Sequence, residues 1–319
     1  MPFYDSCSLC PRLCRVDRGA GKTGFCGESD AVRVACAVLH FGEEPPITGV
    51  GGSGTVFFTG CTLRCAFCQN IQVSRGGVGA AVGVEELAGI FLDLAEAGAE
   101  NVNVVTGTHF VPSILDALAI ARQKGLSIPM VWNSSGYETP QTVERLADSV
   151  DIWLPDLKTL DAGLSRSLFR APDYPERARE AILSMVRLRP QTLREGADGV
   201  SVLSRGVIVR HLVLPGRLEE TRAVLRWFAE NLAGRALLSL MFQYTPIPGT
   251  DPQGDFARML RPEETESVLS MLEELGIEDG FFQEPESDGD WLPDFRRRRP
   301  FPSGRSRTVW HHAGKVPSA

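Results

Sequence analysis

The chain has 319 residues, a formal net charge of −7 and 43% hydrophobic residues. That composition supports the full core of one large α/β domain, and its acidic balance implies no general affinity for nucleic acid or anionic membranes. No apolar run reaches the roughly 18 residues of a membrane helix, and the N-terminus lacks a basic region followed by an apolar one. We therefore expect a cytoplasmic protein that binds neither nucleic acid nor membranes.

A group of four cysteines lies near the N-terminus: Cys7, Cys10, Cys14 and Cys26. Eight cysteines in a chain without a secretory signal favour metal or redox ligands over disulfides. The segment is rich in glycine and poor in periodic hydrophobic residues, so metal ligation would supply the stability that a core does not. We expect one metal centre, zinc or a single iron ion ahead of a second iron–sulfur cluster. Free thiols lining a turn are the alternative.

The stretch that follows predicts a strand and then a turn. Cys36 lies within the apolar run 32–39 and is expected to be a small core residue of a strand. Glu43 and Glu44 precede two prolines. They have the chemistry of acid/base groups or metal ligands, but we favour a solvated turn at this place.

From residue 54 onward, β-prone apolar runs alternate with amphipathic helical patterns. This alternation predicts a parallel sheet with right-handed crossovers. Six units are too few for a closed eight-stranded barrel, and periodicity does not separate an open barrel from a doubly wound sheet. The predicted strands are 54–58, 101–105, 129–132, 151–154, 206–214 and 237–242, and the predicted helices are 84–97, 113–125, a helix from 140 capped by Thr139, 175–187, one around 224–228, and 262–275.

The first of these strands leads into three cysteines with the spacing C-x3-C-x2-C: Cys61, Cys65 and Cys68. Three thiolates can hold three irons of a cubane cluster, whose usual complement is four cysteines. One iron is then open to a ligand from outside the chain, as in catalytic metal sites.

A strand followed by C-x3-C-x-aromatic-C resembles the signature of radical S-adenosylmethionine (SAM) enzymes, and the wider sequence is similar to pyruvate formate-lyase activating enzyme. The resemblance implies an α/β fold, an open partial (β/α)6 barrel, with a [4Fe-4S] cluster, SAM and a flavodoxin- or ferredoxin-type reductant. It also implies reductive cleavage of SAM to a 5′-deoxyadenosyl radical that abstracts a hydrogen atom. A glycyl-radical enzyme is the substrate by nearest analogy, and another peptide or a small metabolite is the alternative. The matching stretches are 7–27, 40–46, 61–70, 154–158, 210–216 and 291–295.

The resemblance divides the chain into a cysteine-rich segment (1–50), the partial barrel (51–285) and a C-terminal extension (286–319). Four consecutive arginines, 296–299, lie in the extension. A charge run is usually a solvated face, and a binding patch for an acidic partner is the alternative.

Residues after each strand are the candidate site, because parallel α/β folds bind ligands at the carboxyl ends of their strands. In similar enzymes the position of Phe67 lies against the SAM adenine, and Asn70 is expected to orient the cysteine loop. Thr106, Gly107 and Thr108 stand where the family has Gly-Gly-Glu. The acid is absent here, and the Thr106 or Thr108 hydroxyl is expected to take over its contact to the SAM amino group.

The next two loops carry further candidates. Asn133 and Ser135 suit hydrogen bonds to the methionine carboxylate or the ribose, with an ordinary helix-capping loop as the alternative for Ser134. Asp156 and Lys158 match the Asp-x-Lys that contacts SAM in the activating enzymes, with a surface ion pair as the alternative.

The last candidates lie in and after the fifth and sixth strands. Arg210 matches an arginine that meets the glycyl-bearing peptide, and its charge would need an anion from that peptide or from SAM. Only one of Arg210 and His211 can face the interior, and His211 is expected to be a core histidine. Gln243 and Tyr244 stand where the activating enzyme has a tyrosine and a histidine near SAM. A non-catalytic electron carrier and a zinc-ribbon module on a degenerate barrel are the rival functions.

Overall fold

The structure, a computed structural model, describes residues 2–195, 201–247, 254–283, 292–301 and 304–314. Its strands are β1 (Arg33–His40), β2 (Ser53–Phe58), β3 (Ala80–Ala81), β4 (Val102–Val105), β5 (Met130–Ser134), β6 (Ile152–Pro155), β7 (Thr192–Glu195), β8 (Ser201–Leu212), β9 (Leu237–Met241), β10 (Gly280–Gln283) and β11 (Ser306–His311). In the described residues these strands form one sheet of order β10-β9-β8-β6-β5-β4-β2-β1-β11, with β3 paired to β1 and β7 to β8.

The helices cover the outer face of this sheet or connect its strands. They are α1 (Pro2–Asp5), α2 (Pro45–Thr48), α3 (Ile71–Ser74), α4 (Val84–Glu96), α5 (Val111–Gln123), α6 (Pro140–Leu146), α7 (Ala162–Phe169), α8 (Tyr174–Leu188), α9 (Leu218–Leu232) and α10 (Pro262–Leu275), with 3-10 turns at Thr108–Phe110 and Gly254–Ala257. The predicted cap of α6 is confirmed, because the Thr139 side chain accepts a hydrogen bond from the Thr142 amide. None of these helices is long and apolar enough to cross a membrane.

The predicted open parallel sheet is confirmed. Seven strands pair in parallel, each with the next in the order β2, β4, β5, β6, β8, β9 and β10. The described strands do not close into a barrel. Sequence patterns missed β10, which adds a parallel strand at one edge, and β11, which adds an antiparallel strand beside β1 at the other. Both are short and half exposed, so they lack the apolar run by which the inner strands are recognised.

The short helix α2 packs against one face of the sheet, near the amino-terminal ends of the parallel strands. Ile47, only 1% exposed, packs there against strand residues of one face, including Val131, Ile152 and Ile208. The Asn101 amide nitrogen donates to the Ile47 carbonyl at 2.8 Å. Because side chains alternate along a strand, the residues two and four positions later lie on this same face, nearer the carboxyl ends of the strands.

The C-terminal residues lie against the first parallel strand. Phe295 is fully buried, its ring 5.2 Å from that of Phe57, and its amide donates to Gln72 of α3 at 2.8 Å. The arginines 296–299 are exposed, which confirms the solvated face. Trp291, part of the matching stretch 291–295, lies outside the described residues, and the three-part division of the chain stays a prediction.

Candidate active site

A cavity of about 260 Å³ lies at the carboxyl ends of the parallel strands. This is the end of the sheet where sequence reasoning expected the site. Three of the expected residues, Gly107, Thr108 and Tyr244, do not line the cavity. The expected residues that do line it are Cys61, Cys65, Phe67, Cys68, Asn70, Thr106, Asn133, Ser135, Asp156, Lys158, Arg210 and Gln243.

The cysteine loop, residues 60–68, leaves β2 through a position that only glycine fits. Gly60 has a φ of 78°, in the left-handed region, and a Cβ there would lie 2.4 Å from the Glu28 Cγ atom. The loop turns back over the strand end, so that all three of its thiols reach the cavity wall.

Hydrogen-bond donors surround these thiols. The amides of Leu63 and Arg64 point to the Cys61 sulfur at 3.3 and 3.4 Å, and the Ser74 hydroxyl donates to the Cys68 sulfur at 3.3 Å. Burial raises the pKa of the Cys65 thiol, and the nearby charge of Lys158 opposes that rise. Amide and hydroxyl donors beside sulfur stabilise thiolates, which is the form that an iron–sulfur cluster requires. The loop therefore fits such a cluster.

Asp156 and Lys158 form an ion pair inside the cavity and not at the surface. The Lys158 Nζ atom lies 2.6 Å from the Asp156 carboxylate, and the two side chains are 15% and 20% exposed. Burial lowers the pKa of Lys158, but the charges of Asp156 and Cys65 outweigh it and leave that pKa above its ordinary value. The Tyr174 hydroxyl holds the loop in place, since it accepts from the Lys158 amide at 2.9 Å and lies 2.9 Å from the Asp156 carbonyl.

The three expected residues of the loop after β4 have different surroundings. Thr106 faces the cavity, with a left-handed φ of 57°. Gly107 has a packing role instead, because a Cβ there would lie 2.7 Å from the Ile114 Cδ1 atom. Thr108 turns away from the cavity and donates to the Glu138 carboxylate at 2.8 Å. Of the two hydroxyls expected to replace the missing acid, only that of Thr106 is in position.

Glu138 is a buried acid that the sequence analysis did not single out. It is fully buried, and burial raises its pKa to about 7, although the hydrogen bond from Thr108 acts in the opposite direction. Its second carboxylate oxygen lies near Ser134 and Trp132 without a well-formed hydrogen bond. The loop after β5 thus places a carboxyl behind the loop in which the family's acid is absent.

The prediction of a solvated turn at Glu43 and Glu44 is wrong. Their side chains are 8% and 4% exposed, and both bind Arg210. The Arg210 Nε and Nη2 atoms donate to the two Glu44 oxygens at 2.6 Å each, and Nη2 also donates to Glu43. Burial alone would raise the pKa of Glu44, but Arg210 holds it below its ordinary value. The anion that Arg210 needs therefore comes from this chain, because α2 packs against β8 and brings the glutamates there.

His211 points to the other side of β8, and its expected role as a core histidine is confirmed. Its ring nitrogens lie 2.7 Å from the Leu157 carbonyl and 3.0 Å from the Thr221 hydroxyl. Burial lowers the pKa of His211 to about 4, so the ring is neutral.

A chain of amides joins the cysteine loop to β9 and β10. Gln69 donates to the Gln243 carbonyl at 3.2 Å, and Gln283 donates to the Gly42 carbonyl at 3.1 Å. The second bond fixes the Gln283 amide, whose oxygen accepts from the Gln243 nitrogen. The Gln243 side-chain oxygen is buried without a hydrogen-bond partner in the described residues, although the residue itself lines the cavity.

Tyr244 supports the site from behind instead of lining it. Its hydroxyl donates to the Phe256 carbonyl at 2.8 Å, and its ring lies 6.2 Å from that of Phe67. The alternation that sends Gln243 to the cavity sends Tyr244 to the opposite face. Phe67 itself is held between the rings of Tyr244 and Phe169.

The N-terminal cysteine segment, residues 7–27, packs directly on the cysteine loop. The Cys61 amide donates to the Cys26 carbonyl at 3.3 Å. Arg12 donates to the Thr62 carbonyl at 2.9 Å and to the Phe169 carbonyl at 2.7 Å. Arg18 is fully buried beneath the segment, where its Nε atom donates to the Glu28 carbonyl at 3.1 Å.

Comparison with known proteins identifies the family. A family model described as the Radical SAM superfamily matches residues 55–227. An uncharacterized protein of Methanocaldococcus jannaschii is 27% identical to this chain over 284 residues, which cover 86% of this chain and 77% of that protein.

Solved structures share the fold. A radical SAM methyltransferase from Sphaerobacter thermophilus matches with a TM-score of 0.51 and 17% identity over 75% of this chain and 68% of that chain. SuiB of Streptococcus suis, solved bound to SAM, matches with a TM-score of 0.50 and 15% identity over 70% of this chain and 48% of that chain. The chain thus spans about half the length of SuiB. The family match covers more than half of the chain, including Cys61, Cys65 and Cys68, and the chain belongs to the radical SAM superfamily, whose members use a [4Fe-4S] cluster and SAM.

Proposed function

We propose that this protein reductively cleaves SAM in the cavity and uses the resulting radical to abstract a hydrogen atom from a substrate. One observation carries this proposal: among the described residues, three cysteines and no fourth line the same cavity as the Asp156–Lys158 pair. When bound, a reduced [4Fe-4S] cluster supplies the electron that splits SAM into methionine and a 5′-deoxyadenosyl radical.

The residues around the cavity have separate tasks in this proposal. The Lys158 ammonium binds the methionine carboxylate or a ribose oxygen, and Asp156 holds that ammonium in place. Thr106, Asn133 and Ser135 offer hydrogen bonds to the polar groups of SAM. Phe67 offers an aromatic face to the adenine, and Asn70 orients the end of the cysteine loop.

The substrate in this proposal is a peptide, either the glycyl residue of a partner enzyme or another peptide group. The open side of the sheet supports it, since that side can admit a large substrate. A flavodoxin- or ferredoxin-type protein is the proposed reductant. Zinc, iron or a second iron–sulfur cluster at the N-terminal cysteines completes the proposed cofactors.

The test is anaerobic turnover of the reconstituted protein with SAM and dithionite, with 5′-deoxyadenosine measured by mass spectrometry. We expect 5′-deoxyadenosine from the wild type and none from Cys65→Ala. A wild type whose cluster is reduced but which forms no 5′-deoxyadenosine would favour the alternative, a non-catalytic iron–sulfur electron-transfer protein. Adding deuterated lysate protein to the reaction and tracing the label into 5′-deoxyadenosine then tests the peptide substrate.

A further inference from the structure

One wall of the cavity is built by segments outside the radical SAM family match. The match covers residues 55–227, which include the cysteine loop and the Asp156–Lys158 pair. Among the wall residues that precede or follow it are His40, Glu43, Glu44, Gln283, Phe301 and Arg305. Because the matched part of the chain already supplies the groups proposed for SAM, this wall is available to the substrate.

The group formed by Glu43, Glu44 and Arg210 carries an excess of negative charge. Arg210 donates to the two Glu44 oxygens at 2.6 Å each and also to the Glu43 Oε2 atom. Two carboxylates thus share one guanidinium, and the Glu43 and Glu44 side chains are only 8% and 4% exposed. A buried charge is costly unless an opposite charge satisfies it, so this group favours a further cation.

The Glu43 Oε1 atom is the part of this group that lacks a donor. The His40 Nδ1 atom lies 3.8 Å away, beyond hydrogen-bond distance, and accepts a hydrogen bond from the Gly42 amide at 3.3 Å. Burial lowers the pKa of His40, so its ring is neutral and supplies no opposite charge. Among the described residues no other group donates to Oε1, which is not fully buried as the Gln243 oxygen is. Since Glu43 lines the cavity, this oxygen is an open acceptor for a ligand.

Two connections join Glu43 to the groups proposed for the chemistry. The chain of amides that begins at Gln69, beside the cysteine loop, ends at the Gly42 carbonyl, beside Glu43. On the other side, Arg210 pairs in a β-bridge with Asp156, whose carboxylate belongs to the ion pair proposed to bind SAM. A ligand at Glu43 would therefore share the cavity with the cluster and SAM.

Aromatic rings in the cavity suit a cation better than an anion. Phe57 and Phe301 line the cavity with ring centroids 5.3 Å apart, and the Phe301 ring also packs on that of His40 at 4.9 Å. The faces of aromatic rings attract ammonium groups. Arg305 lies on the same wall, and a carboxylate bound to it is the competing arrangement.

We infer that Glu43 binds a protonated amino group of the substrate, and that Arg210 and Glu44 hold its carboxylate in position. The inference rests on the proposed function and names the part of the peptide that enters the cavity: a lysine side chain or a free N-terminus. The resemblance of Arg210 to a peptide-binding arginine implied an anionic group here, but Arg210 already binds two carboxylates of this chain.

Four matched probes separate charge from shape in ligand-observed NMR titrations of the reconstituted, anaerobic protein with SAM. Nα-acetyl-lysine methylamide carries the side-chain amine and norleucine methylamide the α-amine, whereas Nα-acetyl-norleucine methylamide is neutral and Nα-acetyl-glutamate methylamide is anionic. At pH 7 we expect at least one amine to bind on the order of tenfold more tightly than the neutral probe, as a charge-assisted hydrogen bond provides. The tighter of the two amines identifies the source of the amino group. Tighter binding of the anionic probe, equal binding of all four or no binding would overturn the inference.

The Glu43→Gln variant keeps the shape of the side chain and removes its charge. It should bind the preferred amine on the order of tenfold more weakly, with unchanged binding of the neutral probe and unchanged visible absorbance of the loop cluster. Glu96→Gln, at an exposed position of α4, is the matched control and should bind both probes as the wild type does. Equal amine affinity in the wild type and Glu43→Gln would overturn the inference. If Glu43→Gln does not fold, the wild-type ranking of the four probes decides alone.

SAM cleavage by the wild type, measured in parallel, separates this inference from the proposed function. A wild type that forms 5′-deoxyadenosine but shows no preference for the amines overturns the inference alone. A wild type that prefers the amines through Glu43 but forms no 5′-deoxyadenosine supports the amine site and contradicts the proposed function.

Discussion

The two groups of cysteines in this protein, the loop and the N-terminal segment, have different surroundings. The loop places three thiols at the carboxyl end of β2, facing a cavity that also holds the charged Lys158. The N-terminal segment places four thiols outside the sheet, where the nearby cation is the buried Arg18, 3.8 Å from the Cys7 sulfur. A site with an open position needs a cavity and groups that bind the outside ligand, whereas a complete set of ligands needs only turns that enclose it.

The largest effect that separates the two sites is expected from Cys65→Ala. With three thiolates at the loop, each is needed to anchor the cluster, so this variant should lose the loop cluster and all SAM cleavage. Iron analysis and 5′-deoxyadenosine assays measure both losses. Cys36→Ala, which removes a buried thiol outside both sites, should retain wild-type values, and full SAM cleavage by Cys65→Ala would contradict the assignment of the loop.

The next effect concerns Lys158, the lysine that lines the cavity beside the cysteine loop. Lys158→Ala should leave the iron content intact and weaken SAM binding by about 1.5–3 kcal/mol, the range of a charge-assisted hydrogen bond. This corresponds to roughly a tenfold to hundredfold rise in Kd. Lys158→Arg should not restore binding fully, because a planar guanidinium replaces a compact ammonium.

Titration calorimetry of SAM onto the anaerobic variants tests this expectation. Lys22→Ala is the matched control, because Lys22 is an exposed lysine in the N-terminal segment. If Lys158→Ala and Asp156→Ala both bound SAM as tightly as the wild type, the cavity pair would have no part in SAM binding.

A smaller effect is expected where the two sites touch. Arg12 joins the N-terminal segment to the Thr62 and Phe169 carbonyls, and lysine cannot reproduce the fork of a guanidinium. Arg12→Lys should therefore lower the free energy of unfolding by about 1–3 kcal/mol, as expected for lost hydrogen bonds to a charged group. Urea unfolding measures the change, and Arg15→Lys, at an exposed position nearby, should have little effect. Equal stability of the two variants would show that Arg12 does not hold the sites together.

The last effect, which depends on pH, comes from Glu138, behind the loop after β4. Its pKa rises from an ordinary 4.5 to about 7 through burial, so the folded protein holds the proton more tightly than the unfolded chain. The resulting stability is fully present below pH 4.5 and is lost as the pH rises toward 7. Glu138→Gln, which stays neutral, should thus gain stability relative to the wild type between pH 5 and pH 8, by at most about 3 kcal/mol. Thermal unfolding across this range measures the gain, and a difference independent of pH would contradict the assignment.

Local sequence patterns were sufficient for the parts of the fold that depend on near neighbours. The six inner strands, the capped helix at Pro140 and the cysteine loop follow from apolar runs, turn residues and spacing. The positions of Asp156, Lys158, Arg210 and His211 relative to the cavity follow from the alternation of side chains along a strand.

Only the tertiary structure decided the pairings between residues far apart in the chain. Glu43 and Glu44 are buried against Arg210, and Thr108 donates a hydrogen bond to Glu138. Tyr244 packs against Phe67, and the Cys61 amide donates to the Cys26 carbonyl. A run of neighbouring residues shows which side chains are polar but not which partner will satisfy them after burial. The sequence therefore determined the radical SAM sheet and its cysteine loop, and the packing of α2 and the N-terminal segment against that sheet decided the charge and the surroundings of the site.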